Sequence, residues 1–379
     1  MKGYQFEDTQ GTFHLKKAEN ISYLYFPIAG EAGLKSSFTP NLGGDAKIDQ
    51  NTFLLEPVSA ENLVNNRNSR NFWCNVKGIG SWSLTGHSAE ELSKKFTEMQ
   101  DDSEVTAGFM WQKTTRESKK YQLRGEILSF IPVDKNVEIM LVTITNTGRM
   151  AQTVTPTAAI PLYGRSADNI RDHRHVTSLL HRIETTDTGV LVTPTLSFDE
   201  RGHQVNHMTY YCVGWSGNGE KPVDFYPTAE DFVGEGGNFE RPYAIVKNAE
   251  GVKAGTKIEG LEAVGGLHFS EITLEPEEEC SYLIFTGITE DIQEIRNLSK
   301  TYTTREKVLE ELEKTKAYWQ EKVNVAYHTG DSDFNQFMHW VSFQPILRRI
   351  YGCSFPVSYT HLRPTRLGMI SYAVFCLKK

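Results

Sequence analysis

The sequence predicts a mainly β protein, a large antiparallel sandwich followed by helices, and three observations predict it. Short runs rich in Val, Ile, Thr, Phe and Tyr succeed one another to about residue 288, each closed by Gly, Pro, Asn or Asp. Helical patterns do not alternate with these runs, which argues for a sandwich and against a βαβ succession with its parallel sheet. Near residue 289 the pattern changes to helical periodicity, with Glu and Lys filling the polar face.

Taken in order, the first departure from strands is a short helix predicted over Ser88–Met99, with Ser88 as cap and Leu92, Lys95 and Phe96 at helical spacing. Val137–Thr145 is β-branched and apolar on both faces, so it is expected to be buried on both sides. The Asn146-Thr147-Gly148 turn then predicts a hairpin partner at Gln152–Thr155. Further strands are read at Gly189–Phe198, Met208–Trp215 and Ser281–Gly287. From the capping Thr304 to Val323 runs an amphipathic helix of about five turns, with Val308, Leu312, Trp319 and Val323 on one stripe. A second helix starts at Asp331 or Ser332 and carries Phe334, Phe337, Met338, Val341, Ile346 and Ile350, with Pro345 expected to kink or split it.

Of the 379 residues, 39% are hydrophobic and 23% charged, which is ordinary globular composition. The net charge of −8, without a cluster of Lys and Arg, excludes a nucleic-acid partner. Residues 1–8 lack the apolar run of a secretory signal, and nowhere do 18 apolar residues follow one another. Five scattered cysteines without a CxxC pair suggest neither a zinc site nor a disulfide framework. These readings together give a cytoplasmic protein that is not in the membrane. Motifs for dinucleotides, for P-loop phosphates and for a serine nucleophile are missing, so no cofactor is expected.

Three polar segments are candidates for chemistry. Tyr163–Val176 gathers Arg165, Arg171, Asp172, His173 and Arg174 between strand-like runs. Guanidinium forks suit paired sugar hydroxyls, carboxylates or phosphate, and they equally suit a long connection fixed by Arg–Asp pairs. His173 and His175 share a face if the segment is a strand, yet nothing completes a metal set. Asn65–Trp73, with Gly80–Ser83 after it, offers Arg67, Arg70 and Trp73, an aromatic plane beside amides and guanidinium groups as a sugar site needs. A tryptophan of the sandwich core explains the same residues. In Leu196–His203, Asp199 and Glu200 face opposite ways on a strand, so they do not converge on one bond as an acid–base pair must. From the residues alone the reading stops at a β-sandwich with appended helices and a carbohydrate-facing surface.

Several of these segments carry a resemblance. Tyr25–Leu34, Asp49–Ser59, Ser69–Trp73, the Gly164–Arg182 stretch and Ser197–His203 resemble the opening of glycoside hydrolase family 94 proteins, formerly glycosyltransferase 36. Within the family they are most similar to the 1,2-β-oligoglucan phosphorylase branch, and such sequences are often labelled cellobiose phosphorylase. The likeness runs from about residue 20 to Phe355 and leaves out residues 356–379, where Pro356–Arg366 resembles translated sequencing-adapter text. The resemblance implies a sandwich of the galactose-mutarotase-like, family 94 N-terminal type over 1–288, a helical linker over 289–330, and the first helix of a truncated (α/α)6 barrel over 331–355. The tail 356–379 is then non-native.

The resemblance also implies inverting phosphorolysis of β-1,2-gluco-oligosaccharides to α-glucose 1-phosphate, with inorganic phosphate as co-substrate. It implies a homodimer built through this domain. The catalytic acid of such proteins lies in the barrel, so no catalytic residue is assigned here and the chain alone is expected to be inactive. Substrate contacts are expected from Arg67, Arg70, Trp73, Arg165, Arg171, Asp172, His173 and Arg174. A cellobiose phosphorylase, a cyclic β-1,2-glucan synthase or a non-catalytic binding and dimerisation module are the alternatives. A further expectation is that Phe334, Phe337, Val341, Phe343 and Ile346 lie bare without a barrel to cover them.

Overall fold

The computed structural model describes residues 4–21, 24–58, 69–199 and 202–352. Its spine is an antiparallel sheet of eleven strands. Their order is Tyr4–Phe6, Phe13–Lys16, Asp102–Gly108, Trp111–Ser118, Leu123–Phe130, Val137–Asn146, Glu279–Thr289, Thr209–Ser216, Gly189–Val192, Arg182–Thr185 and Lys257–Glu259. A second sheet of six strands lies against it, with Asp224–Thr228, Ala263–His268, Gln152–Leu162, Asn71–Val76 and Gly80–Ser83 in line and Ile272–Leu274 paired beside Gln152–Leu162. Four short strands, Phe26–Ala29, Lys35–Phe38, Ala46–Asp49 and Thr52–Leu55, form a third sheet at the edge.

The central strand shows why the sequence settles this way. All ten residues of Val137–Asn146 are buried. Met140, Val142 and Ile144 join the core shared with the second sheet, among Phe72, Val154, Ile160 and Leu267. Val137, Ile139 and Leu141 alternate with them and pack under Ile295, Leu298, Val308 and Leu312 of two helices and under Tyr302 between those helices. Period-two alternation therefore sends one set of apolar side chains to a sheet and the other to helices.

The hairpin expected after this strand does not form. Val137–Asn146 pairs with Leu123–Phe130 and Glu279–Thr289, whereas Gln152–Leu162 belongs to the second sheet. Asn146 explains the crossing. Its side-chain amide donates to the carbonyls of Met150 and Leu274, and its Oδ1 accepts from Gly148 N–H at 2.9 Å. The connection is thus a side-chain-held loop that carries the chain from one layer to the other. The run read as Gly189–Phe198 is likewise two strands, Gly189–Val192 and Leu196–Asp199, in different sheets. Pro194 lies between them and has no amide to continue a ladder.

The helices follow their caps. Ser88 accepts from Glu91 N–H at 3.1 Å, but this helix ends at Ser93, short of the predicted Met99, and Phe96 has φ +66°. Ile292–Thr301 starts on Asp291, and Arg305–Glu321 buries Val308, Leu312, Thr315 and Trp319. Ser332–Tyr351 starts on Asp331, which accepts from Phe334 N–H at 3.0 Å, and it runs unsplit through Pro345. The carbonyl that loses its donor there belongs to Val341, on the exposed side of the helix.

That helix is not bare. Trp340, Phe343, Leu347 and Tyr351 form a buried stripe. The Trp340 ring meets Phe13, Phe26 and Phe109, and its N–H donates to Gly11 O at 2.7 Å. Phe343 stacks on Phe109 with centroids 4.3 Å apart. The Tyr351 hydroxyl sits 2.9 Å from Ile28 O and 2.8 Å from Ser36 O. The expectation of an uncovered face is therefore corrected for Phe343, while Phe337 and Ile346 are partly buried against the same core. Phe334 and Val341 remain exposed on the other side. No helix among the described residues is long and apolar enough to cross a membrane.

Candidate functional site

Of the predicted site residues that are described, Arg165 is the one that lines a small cleft, and it is itself 6% exposed. Phe53 N–H donates to Arg165 O at 3.0 Å and Gly164 N–H to Phe53 O at 3.1 Å, so the Tyr163–Arg165 stretch is laced to the end of the third sheet. Gly164 turns the chain there with φ +59°. This sets the Arg165 guanidinium over the Tyr163 ring, 5.1 Å from its centroid. Glu56, Glu262 and Phe239 complete the wall of a small cleft with these two residues. Glu56 lies just before the 59–68 segment that contains Arg67, which is outside the described residues.

The polar stretch that follows is a capped turn. Ser166 and Asn169 bond reciprocally at the start of the 3-10 helix Ala167–Arg171, and Asn169 Nδ2 donates to Asp172 Oδ2 at 3.0 Å. Asp172 and His173 are exposed, and His173 precedes the short helix Arg174–Ser178. The strand-like spacing read for His173 and His175 therefore does not apply. The side chains of Arg171, Arg174, His175 and Asp199 lie outside the described residues, as do Glu200 and Arg201.

Two other predicted residues point inward. Arg70 is wholly buried, and its donors are all spent. Nε and Nη2 go to the two Glu138 carboxylate oxygens, Nη2 also to Ser36 Oγ at 2.9 Å, and Nη1 to Gly44 O at 3.0 Å. The Phe38 ring covers it at 4.9 Å. Trp73 is 1% exposed and packs with Tyr226, Phe232 and Ile245. As placed, both residues hold the fold together and face no solvent.

The supersandwich-domain model of glycosyl hydrolase 94 matches residues 55–305, two-thirds of the chain. The chain belongs to glycosyl hydrolase family 94. The matched region takes in most of both large sheets and the Arg165 cleft, so this family 94 chain presents a carbohydrate-active domain. No curated protein matches it by sequence. Among solved structures it is similar to a bacterial glucoamylase complexed with acarbose, at 9% identity over 90% of this chain and 41% of that one, with a TM-score of 0.49. It is also similar to a family GH92 α-mannosidase from Bacteroides thetaiotaomicron in complex with mannoimidazole, at 12% identity over 86% of this chain and 38% of that one, with a TM-score of 0.42. The family 94 chain thus spans about two-fifths of the length of these structures.

Buried polar pairs that the sequence reading missed run through the family 94 fold. Glu138 answers Arg70, Asp224 Oδ1 lies 2.6 Å from His268 Nδ1, and Lys47 Nζ lies 3.5 Å from Asp45 Oδ2. Glu138 carried a signal, because a lone carboxylate inside a strand buried on both faces requires a partner. His181 stands behind Gly164. Burial, then the positive charge of Arg165, lowers its pKa to about 3, so it is a neutral imidazole at physiological pH. Among the described residues no three His, Cys, Asp or Glu side chains gather to hold a metal ion.

Proposed function

We propose that this chain supplies the supersandwich domain of an inverting glycoside phosphorylase that converts β-1,2-gluco-oligosaccharides and inorganic phosphate to α-glucose 1-phosphate. The observation that carries the reading is the family 94 match across residues 55–305. In such a reaction one carboxylic acid protonates the glycosidic oxygen, and phosphate attacks the anomeric carbon from the opposite face. A proton donor for that step must reach a sugar oxygen. Glu138 is spent on Arg70 inside the fold, and we assign the acid to another domain of the whole protein, as the family resemblance implies. The proposed sugar-facing residues here are Arg165, Asp172 and His173, and homodimerisation through the sandwich accompanies the activity.

The test is phosphorolysis of sophorose-type oligosaccharides, followed by glucose 1-phosphate release. The 379-residue chain should release none, and the longest natural polypeptide containing residues 55–305 should release it. Turnover by the 379-residue chain itself removes the assignment of the acid. A full-length protein inert towards every β-glucan with phosphate removes the activity.

A further inference from the structure

Beside the Ala89–Ser93 helix lies a polar cleft of about 40 Å³, room for about three water molecules or one hydroxymethyl group. Arg116 lines it and is 1% exposed. Its Nη2 donates to Asn41 Oδ1 at 3.0 Å and to Thr85 O at 3.4 Å. Nη1 stands 3.5 Å from Glu91 Oε1 without hydrogen-bond geometry, and Nε meets no acceptor among the described residues. A buried guanidinium with donors left over is costly, and an incoming oxygen relieves that cost. Gly86 helps to seat this guanidinium. Its φ is +77°, and a Cβ there would stand 2.6 Å from Arg116 Cζ.

The rim supplies the rest of a sugar site. Asn20 and Gln100 exchange amide hydrogen bonds of 3.0 and 3.2 Å across it, and Leu92 and Lys95 complete the edge. Next to Lys95, Phe96 stands 78% exposed, with its N–H held by Gln100 Oε1 at 3.1 Å. Lys95 Nζ lies 5.4 Å from the Phe96 ring centroid. An aromatic face in water beside a hydrogen-bonding cleft is how a pyranose is gripped, its C–H surface on the ring and its hydroxyls in the cleft.

Charge decides against an anion. Arg116 and Lys95 are balanced by Glu19 and Glu91 in the lining, and His87 is neutral because burial takes its pKa to about 3. With no surplus positive charge the cleft favours a neutral polyol over phosphate. We propose that Phe96 and the Arg116 cleft form a site for a glucosyl unit, separate from the Arg165 cleft.

The test is calorimetric titration of the 379-residue chain with sophorose, cellobiose and inorganic phosphate. One or both disaccharides should bind saturably, and Phe96→Ala should weaken binding about five- to tenfold at unchanged Tm. Arg116→Lys, which keeps the charge but loses the planar fork, should weaken it as well. Saturable binding by neither disaccharide overturns the site, and so does binding indifferent to both substitutions. Saturable phosphate binding that Arg116→Lys abolishes overturns the sugar assignment. The readout is binding, so failure of the proposed phosphorolysis leaves this result standing by itself.

Discussion

Two kinds of buried polar residue govern this chain at the level of single side chains. The Arg70–Glu138 pair is fully desolvated, and each partner has its oxygens or donors occupied, so removing one leaves a charge without compensation. Arg70→Ala should therefore cost about 3–5 kcal/mol in urea denaturation, and a loss below about 1 kcal/mol would show that the site relaxes by admitting water. His87 and His181 act through pH. Their pKa values fall from 6.5 to about 3 on folding, chiefly through burial, with Arg116 and Lys95 facing the first and Arg165 and Glu262 flanking the second. The unfolded chain binds more protons than the folded one between those values, so stability is complete above pH 6.5 and declines as pH falls towards 3. Each histidine removes about 1.4 kcal/mol per pH unit of fall within that window. Denaturation midpoints at pH 7.5 and pH 5 should differ less in His181→Gln than in the parent, and equal differences would place His181 in contact with water. Of these residues the sequence made Arg70 conspicuous, but it could not say whether the guanidinium faced sugar or Glu138. Their separation of 68 positions hides the pair.

Where a polar side chain supplies a local signal, the elements were readable. Asp331 begins the last described helix where its capping pattern predicts, accepting from Phe334 N–H, and Thr304 stands at the N-cap of Arg305–Glu321 without a side-chain cap bond. What a helix rests on is not local, and here the sequence reading failed. The helix Ser332–Tyr351 has apolar residues on both sides, and periodicity alone cannot choose which stripe faces the sandwich. The choice is made by Gly11, whose N–H is taken by Gln336 Oε1 at 2.9 Å and whose carbonyl accepts the Trp340 indole. Trp340→Ala should cost about 3–5 kcal/mol, because it vacates space among Phe13, Phe26 and Phe109 and orphans that carbonyl. Ending the chain near Thr329 should be worse still, lowering Tm and solubility, since it uncovers all three rings at once. A shortened protein as stable as the parent would mean the helix is only laid on the surface.

At the level of the whole molecule, the two large sheets enclose one core and the Ile292–Thr301 and Arg305–Glu321 helices cover another, and the cysteines between the sheets report on whether the sandwich opens as a unit. Cys212 sits between the sheets on Thr209–Ser216. Its thiol lies 3.7 Å from Gly265 O of the second sheet, and a side chain at Gly265 would collide with its Cβ at 2.2 Å. Cys74 faces the same interior from Asn71–Val76 and is also fully buried. Burial raises both thiol pKa values and pushes Cys280 up to about 12, so thiolate is scarce at all three before reagent access is considered. Maleimide at pH 7.5 should leave these three unlabelled in the native protein, with peptide mapping as the readout. If the sandwich parts only by global unfolding, Cys74 and Cys212 should acquire label together as urea is raised, with midpoints coincident with loss of near-ultraviolet circular dichroism. Cys212 reacting well before Cys74 would mean that the sheets separate locally at the Gly189–Val192 side. In that case the eleven-stranded sheet has an independently opening edge, and the fold is not one cooperative body.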